Sequence, residues 1–221
     1  MTAKVILFDF DGTIADTYQA IANITNQLST EFGYKALEPA ELLLIKNLSS
    51  REIVKRSEIS AFKLPFLVRR VRSELSKEIA QLKSIQDIDL ALANLKNQGY
   101  ILGIVTSNNQ ENVDIFLTKN QLNHLFSYIY SSTGIFGKHR VINQAIRENG
   151  LNKSEVIYVG DETRDIRSAR KSRISVLAVS WGFNAAQILA AHQPDYLANN
   201  PSELLDAIAL WQSHRAKTTV N

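Results

Sequence analysis

The chain has 221 residues, of which 45% are apolar and 21% charged, and this balance excludes wholesale disorder. A formal charge of +3 is too small to indicate nucleic-acid binding, although it does not disfavour an anionic small molecule. The absence of cysteine excludes disulfides and thiolate chemistry, and the first apolar run is too short for a signal peptide or a membrane span. We expect a cytoplasmic monomer or homodimer that binds neither nucleic acid nor membrane.

Short runs rich in apolar and β-branched residues predict the strands. These runs are Val5 to Phe8, Ile101 to Val105, Phe126 to Tyr130, Val156 to Val159 and Ile174 to Val179. The last four are separated by segments of helical character, which is the alternation typical of a parallel sheet with helices on both faces. The predicted fold class is therefore α/β with a doubly wound parallel sheet.

About ninety residues without a convincing strand separate the first run from the second. Apolar residues recur there at roughly helical spacing among charged ones. A crossover between parallel strands needs only a dozen or so residues, so this length indicates an inserted all-helical subdomain. We place the insertion at residues 17–84 and the α/β core at residues 1–16 and 85–221.

Two aspartates are predicted to begin helices near the two ends of the insertion. Asp16 can act as an N-cap residue with Gln19 reaching back in a capping box. Asp87 likewise suits the N-cap of a helix that ends at Gly99. These positions predict where the chain leaves and re-enters the core.

The segment 9–13, Asp-Phe-Asp-Gly-Thr, places two carboxylates two residues apart at the end of the first predicted strand. Because successive side chains of a strand alternate in direction, Asp9 and Asp11 are expected on one face, and Gly12 permits a sharp turn after them. Two convergent acids at a strand end indicate a metal site with acid–base chemistry. The alternative is an ordinary strand followed by an Asp-Gly turn.

Polar residues also follow the second run. Thr106, Ser107 and Asn108 offer a hydroxyl and backbone N–H groups at the start of the next predicted helix. A helix N-terminus of this kind is a natural phosphate site. A Ser or Asn N-cap without any ligand explains the same residues.

Further acids and one lysine are expected at the same edge of the sheet. The segment 160–165, Gly-Asp-Glu-Thr-Arg-Asp, follows the fourth run and contributes Asp161 and Asp165. Carboxylates gathered without matching cations indicate a hard cation such as Mg²⁺. Lys138, which lies between the third run and its helix, is placed to neutralise a phosphate, with a solvated lysine as the alternative.

In this order, the segment 9–13, the segment 106–108, Lys138 and the segment 160–165 resemble the four motifs of the haloacid dehalogenase superfamily. The resemblance covers essentially the whole chain, and the helical insertion resembles the cap of the phosphoglycolate phosphatase and β-phosphoglucomutase branch. It implies a Rossmann-like core with strand order 5-4-1-2-3, counting the predicted runs along the sequence. Since dehalogenases of this superfamily lack an acid at the position of Asp11, phosphatase or phosphomutase chemistry is favoured.

The resemblance also implies individual roles. Asp9 would be the nucleophile that forms an aspartyl phosphate, and Asp11 would donate and accept the proton, with Thr106 and Lys138 completing the catalytic group. The implied Mg²⁺ ligands are Asp9, Asp11 through its backbone carbonyl, Asp161 and Asp165. The implied phosphate- and substrate-binding residues are Thr13, Thr106, Ser107, Asn108, Lys138 and Arg51.

The expected reaction is Mg²⁺-dependent hydrolysis of a small phosphate monoester, with phosphoglycolate-like compounds as the leading substrates. A β-phosphoglucomutase-like phosphotransferase and a non-catalytic binding or regulatory protein are the alternatives. Specificity is expected in the cap, where Arg51, Lys46 and Lys55 are candidates for a distal anionic group of the substrate; a solvated arginine is the alternative for Arg51. Trp181, in the turn after the fifth run, is expected to pack against the core.

Overall fold

The computed structural model describes residues 4–57, 59–60, 62–131 and 137–218. Within them, parallel strands form one sheet in the order β3-β2-β1-β4-β5-β6. The strands are β1 Val5–Phe8, β2 Ile101–Thr106, β3 Phe126–Ser131, β4 Val156–Gly160, β5 Ser175–Val179 and β6 Tyr196–Ala198. The predicted α/β class, the parallel sheet and the order of the predicted runs are confirmed.

The sixth strand was not predicted. It pairs with β5 at the edge of the sheet and is only three residues long. Turn-forming residues flank it on both sides, Pro194 and Asp195 before it and Asn199 after it. A run this short gives no periodic signal in the sequence. Only its pairing with β5 in the structure identifies it as a strand.

Helices account for nearly all of the remaining regular structure that is described. Those between β1 and β2 are α1 Tyr18–Gln27, α2 Ser29–Phe32, α3 Pro39–Ile45, α4 Ser50–Arg56, α5 Leu64–Glu78 and α6 Ile88–Asn97. Those after β2 are α7 Gln110–Lys119, α8 Lys138–Glu148, α9 Thr163–Ser172, α10 Ala186–Ala191 and α11 Pro201–Thr218. Short 3-10 helices cover Ile79–Gln81, Asn123–Leu125 and Lys153–Glu155.

The insertion leaves and rejoins the core at adjacent points. The Asp16 N–H donates to the Lys83 carbonyl at 3.0 Å, and the Ile85 N–H donates to the Ile14 carbonyl at 2.9 Å. Two neighbouring chain segments therefore connect the helices α1 to α5 with the sheet. The pairing is consistent with the predicted division at residues 17 and 84, which stays a prediction.

The capping prediction for Asp16 is wrong, whereas Asp87 is confirmed at the N-cap position of α6. Helix α1 has Thr17 rather than Asp16 at its N-cap, without a side-chain capping bond, and the Gln19 amide donates to Asn23 instead. Asp87 does occupy the N-cap of α6, but with a left-handed φ of 62° and no capping bond from its carboxylate. The backbone pairing of Asp16 with Lys83 holds this part of the chain outside the helix, which delays the start of α1.

The central strand is buried on both faces, which explains its uninterrupted apolar sequence. Ile6 and Phe8 belong to a core layer that also includes Leu92 and Trp211 from α6 and α11. Val5 and Leu7 belong to the opposite core layer, with residues of α8 and α9. The fold thereby fixes the carboxyl end of β1 in the middle of the sheet, where polar side chains follow it.

Candidate active site

The site lies at the carboxyl ends of β1 and β4. The Asp9 N–H donates to the Val159 carbonyl at 2.8 Å, so the pairing of these strands continues one residue beyond β1. Asp161 directly follows β4. Parallel pairing brings these two strand ends side by side. Two carboxylates that are distant in the sequence therefore lie close together.

Asp9, Asp161 and Asp165, which we call the acid cluster, offer carboxylate oxygens that all lie within 4.8 Å of one another. The three side chains are 2%, 0% and 0% exposed. Buried carboxylates repel unless a cation compensates them, and hard divalent cations prefer oxygen ligands. The donor set therefore fits a metal ion, as the sequence predicts for these three residues.

The acid cluster is held by hydrogen bonds and by close backbone approach. The Thr13 hydroxyl donates to Asp161 Oδ1 at 2.8 Å, and the Phe183 N–H donates to Asp161 Oδ2 at 2.7 Å. A Cβ atom on Gly12 or Gly182 would overlap the Asp161 carboxylate. Thr13, predicted to bind phosphate, therefore orients a candidate metal ligand in this structure.

Lys138 joins the acid cluster from the N-terminus of α8. Its Nζ lies 2.5 Å from Asp9 Oδ2 and 2.6 Å from Asp165 Oδ1, and the side chain is buried. Burial lowers the pKa of Lys138, but the charges of Asp165 and Asp9 outweigh it and raise the pKa overall. The lysine is therefore charged and neutralises part of the cluster.

The pKa values of two of these carboxyl groups are raised even with Lys138 in place. Burial raises the pKa of Asp9 to about 7, against the opposing charge of Lys138. Burial and the charges of Glu162 and Asp9 raise the pKa of Asp161 well above its usual range. The pKa values of Asp9 and Asp161 stay raised although Lys138 and Arg164 both lie near the cluster, so a further cation would stabilise the carboxylates.

Asp11 stands apart from the acid cluster. The Asn108 amide donates to both of its carboxylate oxygens at 3.1 Å, and burial raises its pKa. The strand argument for its direction is wrong, because β1 ends at Phe8 and Asp11 lies in a turn whose Gly12 has φ 74°. Asn108, not strand alternation, orients this carboxyl group, and a metal contact through its backbone carbonyl stays a prediction.

The segment after β2 is built around Asn108. Its N–H donates to the Thr106 hydroxyl at 3.0 Å, and its side-chain oxygen accepts from the amide of Asn112 at 2.9 Å. Helix α7 begins only at Gln110, with Asn109 at its N-cap. Thr106 and Asn108 are thus fixed beside Asp11, where the sequence predicts phosphate binding.

A cleft with a volume of about 220 Å³ opens beside these residues. Helices α1 and α5 contribute one part of the lining, and the segments after β1, β2, β4 and β5 contribute the rest. The lining residues are Asp11, Ile21, Thr25, Leu67, Val68, Val71, Arg72, Leu75, Ser107, Asn108, Glu162, Arg164 and Phe183.

The cap residues chosen from the sequence are not among the described residues that line this cleft. Arg51 and Lys55 are exposed on α4. The Nζ of Lys46 instead donates to the Gly182 carbonyl at 3.0 Å and lies over the ring of Tyr18. Lys46 therefore ties its own segment to the loop after β5, and the substrate role of Arg51 stays a prediction.

Sequence reasoning missed two arginines that do line the cleft, Arg72 and Arg164. Arg164 lies inside the segment 160–165, which was interpreted only through its acidic residues. Arg72 continues the apolar stripe that Val68 and Leu75 form on α5. A charged residue on the buried face of an amphipathic helix is the signal that could have found it.

Trp181 packs as predicted. Its indole N–H donates to the Thr13 carbonyl at 3.2 Å, and the ring is partly buried against the core layer of β1. In the part of the chain that the structure describes, no helix combines the length and the apolar character needed to span a membrane.

The fold and the site define an α/β protein with a buried acid cluster at the carboxyl edge of its sheet, and comparison with known proteins gives the family. Residues 6–179 match the family model described as haloacid dehalogenase-like hydrolase. The chain therefore belongs to this family. The expected enzyme class, a phosphatase of the family, is confirmed by this membership and by the phosphatases among its relatives.

Individual relatives match along almost their whole length. A phosphoglycolate phosphatase of Synechococcus elongatus is 36% identical over 205 residues, which cover 93% of this chain and 97% of the relative. The pyrophosphatase PpaX of Bacillus velezensis is 27% identical over 206 residues, covering 90% and 94%. The solved structure of a haloacid dehalogenase-like hydrolase of Streptococcus pneumoniae, 27% identical, has a TM-score of 0.76 and covers 92% of this chain and 97% of its own.

Proposed function

We propose that this chain is a Mg²⁺-dependent phosphatase that hydrolyses a small phosphate monoester through an aspartyl phosphate on Asp9. The observation that carries the proposal is the buried acid cluster of Asp9, Asp161 and Asp165 with Lys138 bound to it. Mg²⁺ bound there would supply positive charge against the repulsion between the Asp9 carboxylate and a phosphate dianion.

In the first half-reaction, a carboxylate oxygen of Asp9 attacks phosphorus and the bond from phosphorus to the ester oxygen breaks. Asp11 donates its proton to the departing oxygen. Burial raises the pKa of Asp11 and so favours the protonated form that this step needs. The Asn108 amide then stabilises the carboxylate that remains, since it donates to both oxygens.

In the second half-reaction, the Asp11 carboxylate removes a proton from water while the water oxygen attacks phosphorus. The bond between phosphorus and Asp9 breaks, so inorganic phosphate leaves and Asp9 regains its carboxylate. Asp11 is again protonated and ready for the next ester. Lys138 holds a positive charge 2.5 Å from Asp9 Oδ2, where the transferred group is negatively charged in both steps.

The leading substrate is a phosphoglycolate-like ester. The 36% identical relative carries the name phosphoglycolate phosphatase. The cleft beside the acid cluster is largely apolar on the side of the insertion, which favours a short ester over a sugar bisphosphate with several hydroxyls. A phosphomutase that handles a sugar bisphosphate is the weaker candidate for this reason.

The test is phosphate release from 2-phosphoglycolate and from an aryl phosphate, with Mg²⁺ and with EDTA. We expect release only with Mg²⁺, a loss of at least about 1,000-fold in Asp9→Asn, and about 100- to 10,000-fold in Asp11→Asn. Asp114→Asn, on the exposed face of α7, is the matched control and should retain activity.

Two results contradict the proposal. Transfer of labelled phosphate to a sugar rather than to water assigns a phosphomutase. No release from any ester in a broad panel, with folded protein and Mg²⁺ present, favours a binding or regulatory protein instead.

A further inference from the structure

The cleft brings together two arginines from separate parts of the chain. Arg72 projects from α5 in the helical insertion, and Arg164 comes from the first turn of α9 beside the acid cluster. Both line the cleft that also holds Asp11 and Ser107. Two guanidinium groups thus lie beside the position where the leaving group of a phosphate ester would be protonated.

Each arginine is held in a partly buried position. The Arg164 Nη2 lies 2.5 Å from Glu162 Oε1, while its Nε is buried without a hydrogen-bond partner among the described residues. Burial lowers the pKa of Arg72, the charge of Arg164 lowers it further, and the charge of Asp11 opposes this. The charge of Arg164 therefore acts on Arg72, and an anion bound beside Arg72 would offset it.

The rest of the cleft is largely apolar on the side of the helical insertion. Ile21, Leu67, Val71 and Leu75 contribute this surface. Such a wall suits a short methylene chain and offers few partners for the hydroxyls of a sugar. The two arginines are therefore the groups on these walls that suit an anion remote from the reacting phosphate.

We propose that Arg72 and Arg164 bind the second anionic group of a short, doubly anionic phosphate ester. The leading form of this group is the carboxylate of a phosphorylated hydroxy acid, and the inference rests on the phosphatase function proposed above. Guanidinium groups bind carboxylate and phosphate oxygens through paired, charge-assisted hydrogen bonds. Arg72 acts here as a specificity-determining residue, because it recognises a part of the substrate that does not react.

Hydrogen bonds between the segment after α3 and the loop after β5 hold the insertion against the core. Lys46 donates to the Gly182 carbonyl at 3.0 Å, and the Ala185 N–H donates to the Lys46 carbonyl at 2.8 Å. The Asn184 amide adds a bond to the Leu48 carbonyl at 3.0 Å. The insertion that carries Arg72 is thus bonded to the core that carries Arg164. An ester that lacks the second anion would have no group for Arg72 to bind.

The test compares Arg72→Met with Arg69→Met, an exposed arginine on the same helix that does not line the cleft. The substrates are 2-phosphoglycolate, 2-hydroxyethyl phosphate, which replaces the carboxylate by a hydroxymethyl group, and pyrophosphate. For 2-phosphoglycolate we expect KM to rise about 10- to 100-fold in Arg72→Met, as the loss of one charge-assisted interaction predicts. For 2-hydroxyethyl phosphate we expect a change below about threefold, and Arg69→Met should resemble the unmodified protein on all substrates.

The outcomes separate this inference from the phosphatase function. An equal loss on 2-phosphoglycolate and 2-hydroxyethyl phosphate overturns the subsite while hydrolysis itself stands. No hydrolysis of any substrate by the unmodified protein overturns the phosphatase function instead. A larger effect of Arg72→Met on pyrophosphate retains the subsite but assigns it to a second phosphate.

Circular dichroism and the urea midpoint establish that each variant is folded. If Arg72→Met does not fold, Arg72→Lys is used in the same kinetic comparison. Lysine keeps the positive charge but lacks the planar pair of donors of a guanidinium group. We expect a several-fold higher KM for 2-phosphoglycolate in that variant and no change for 2-hydroxyethyl phosphate. Equal KM values of Arg72→Lys and the unmodified protein for 2-phosphoglycolate would overturn the inference.

Discussion

Replacing Lys138 by methionine should strongly destabilise the protein in the absence of Mg²⁺. The lysine Nζ lies 2.5 Å from Asp9 Oδ2 and 2.6 Å from Asp165 Oδ1, and all three side chains are buried. Methionine preserves most of the apolar stem but cannot donate a hydrogen bond or carry a charge. Asp9, Asp161 and Asp165 would then face one another without the lysine.

The expected loss follows from these contacts. Removing one partner of a buried ion pair costs about 3–5 kcal/mol, and two charge-assisted hydrogen bonds contribute a comparable amount. Protonation of Asp9 limits the loss, because burial already raises its pKa to about 7. We therefore expect the free energy of unfolding to fall by about 3–5 kcal/mol near pH 8, and by less in mild acid, where Asp9 is protonated in the folded protein.

Urea unfolding in EDTA, followed by circular dichroism, measures this difference. Lys119→Met is the matched control, because this lysine is exposed on α7, and it should change stability by at most about 0.5 kcal/mol. A loss below about 1 kcal/mol in Lys138→Met, with an unchanged denaturant slope, would refute the reasoning. Lys138 would then contribute little net compensation to the acid cluster.

Two further predictions concern the same cluster. Gly182→Ala should cost about 1–3 kcal/mol and most of the activity, because its Cβ would overlap the Asp161 carboxylate and the Gly12 carbonyl. Gly99→Ala strains a backbone with φ 87° and so costs stability, but its Cβ meets no atom within 4 Å and it should retain activity. Unchanged phosphate release in Gly182→Ala would contradict the prediction. Burial raises the pKa of Asp9 from 3.8 to about 7, so the folded Mg²⁺-free protein binds more protons than the unfolded chain between these values. Its stability should therefore fall by up to about 4 kcal/mol as the pH rises through this range, and urea midpoints of Asp9→Asn should show a smaller fall; an equal fall in both proteins would exclude Asp9 as the cause.

Local patterns in the sequence were sufficient for most of the sheet. The apolar runs around Val5 and Val156 carry strong strand signals because the strands are buried on both faces. Strand β6 gave no comparable signal, since three residues are too few to show a period. The Asp16 cap also failed, because a backbone bond to Lys83 from the far end of the insertion decides where α1 begins.

The candidate site was predictable where its residues follow strand ends. Parallel strands present their carboxyl ends at one edge, so the sequence alone predicts that Asp9, Asp161 and Lys138 lie close together. The cleft wall formed by α5 was not predictable in the same way. The sequence places Arg72 on the apolar stripe of α5, but only packing decides that this stripe lines the cleft.

The sequence by itself determined which reactive groups this protein carries and the family to which it belongs, because the motif residues lie within short segments with fixed local geometry. The tertiary structure alone decided how those groups are paired. Asp11 is directed by Asn108, Thr13 supports Asp161, and Arg72 and Arg164 line one cleft. These contacts join residues far apart in the chain, and their formation depends on how helices and strands pack rather than on any local pattern.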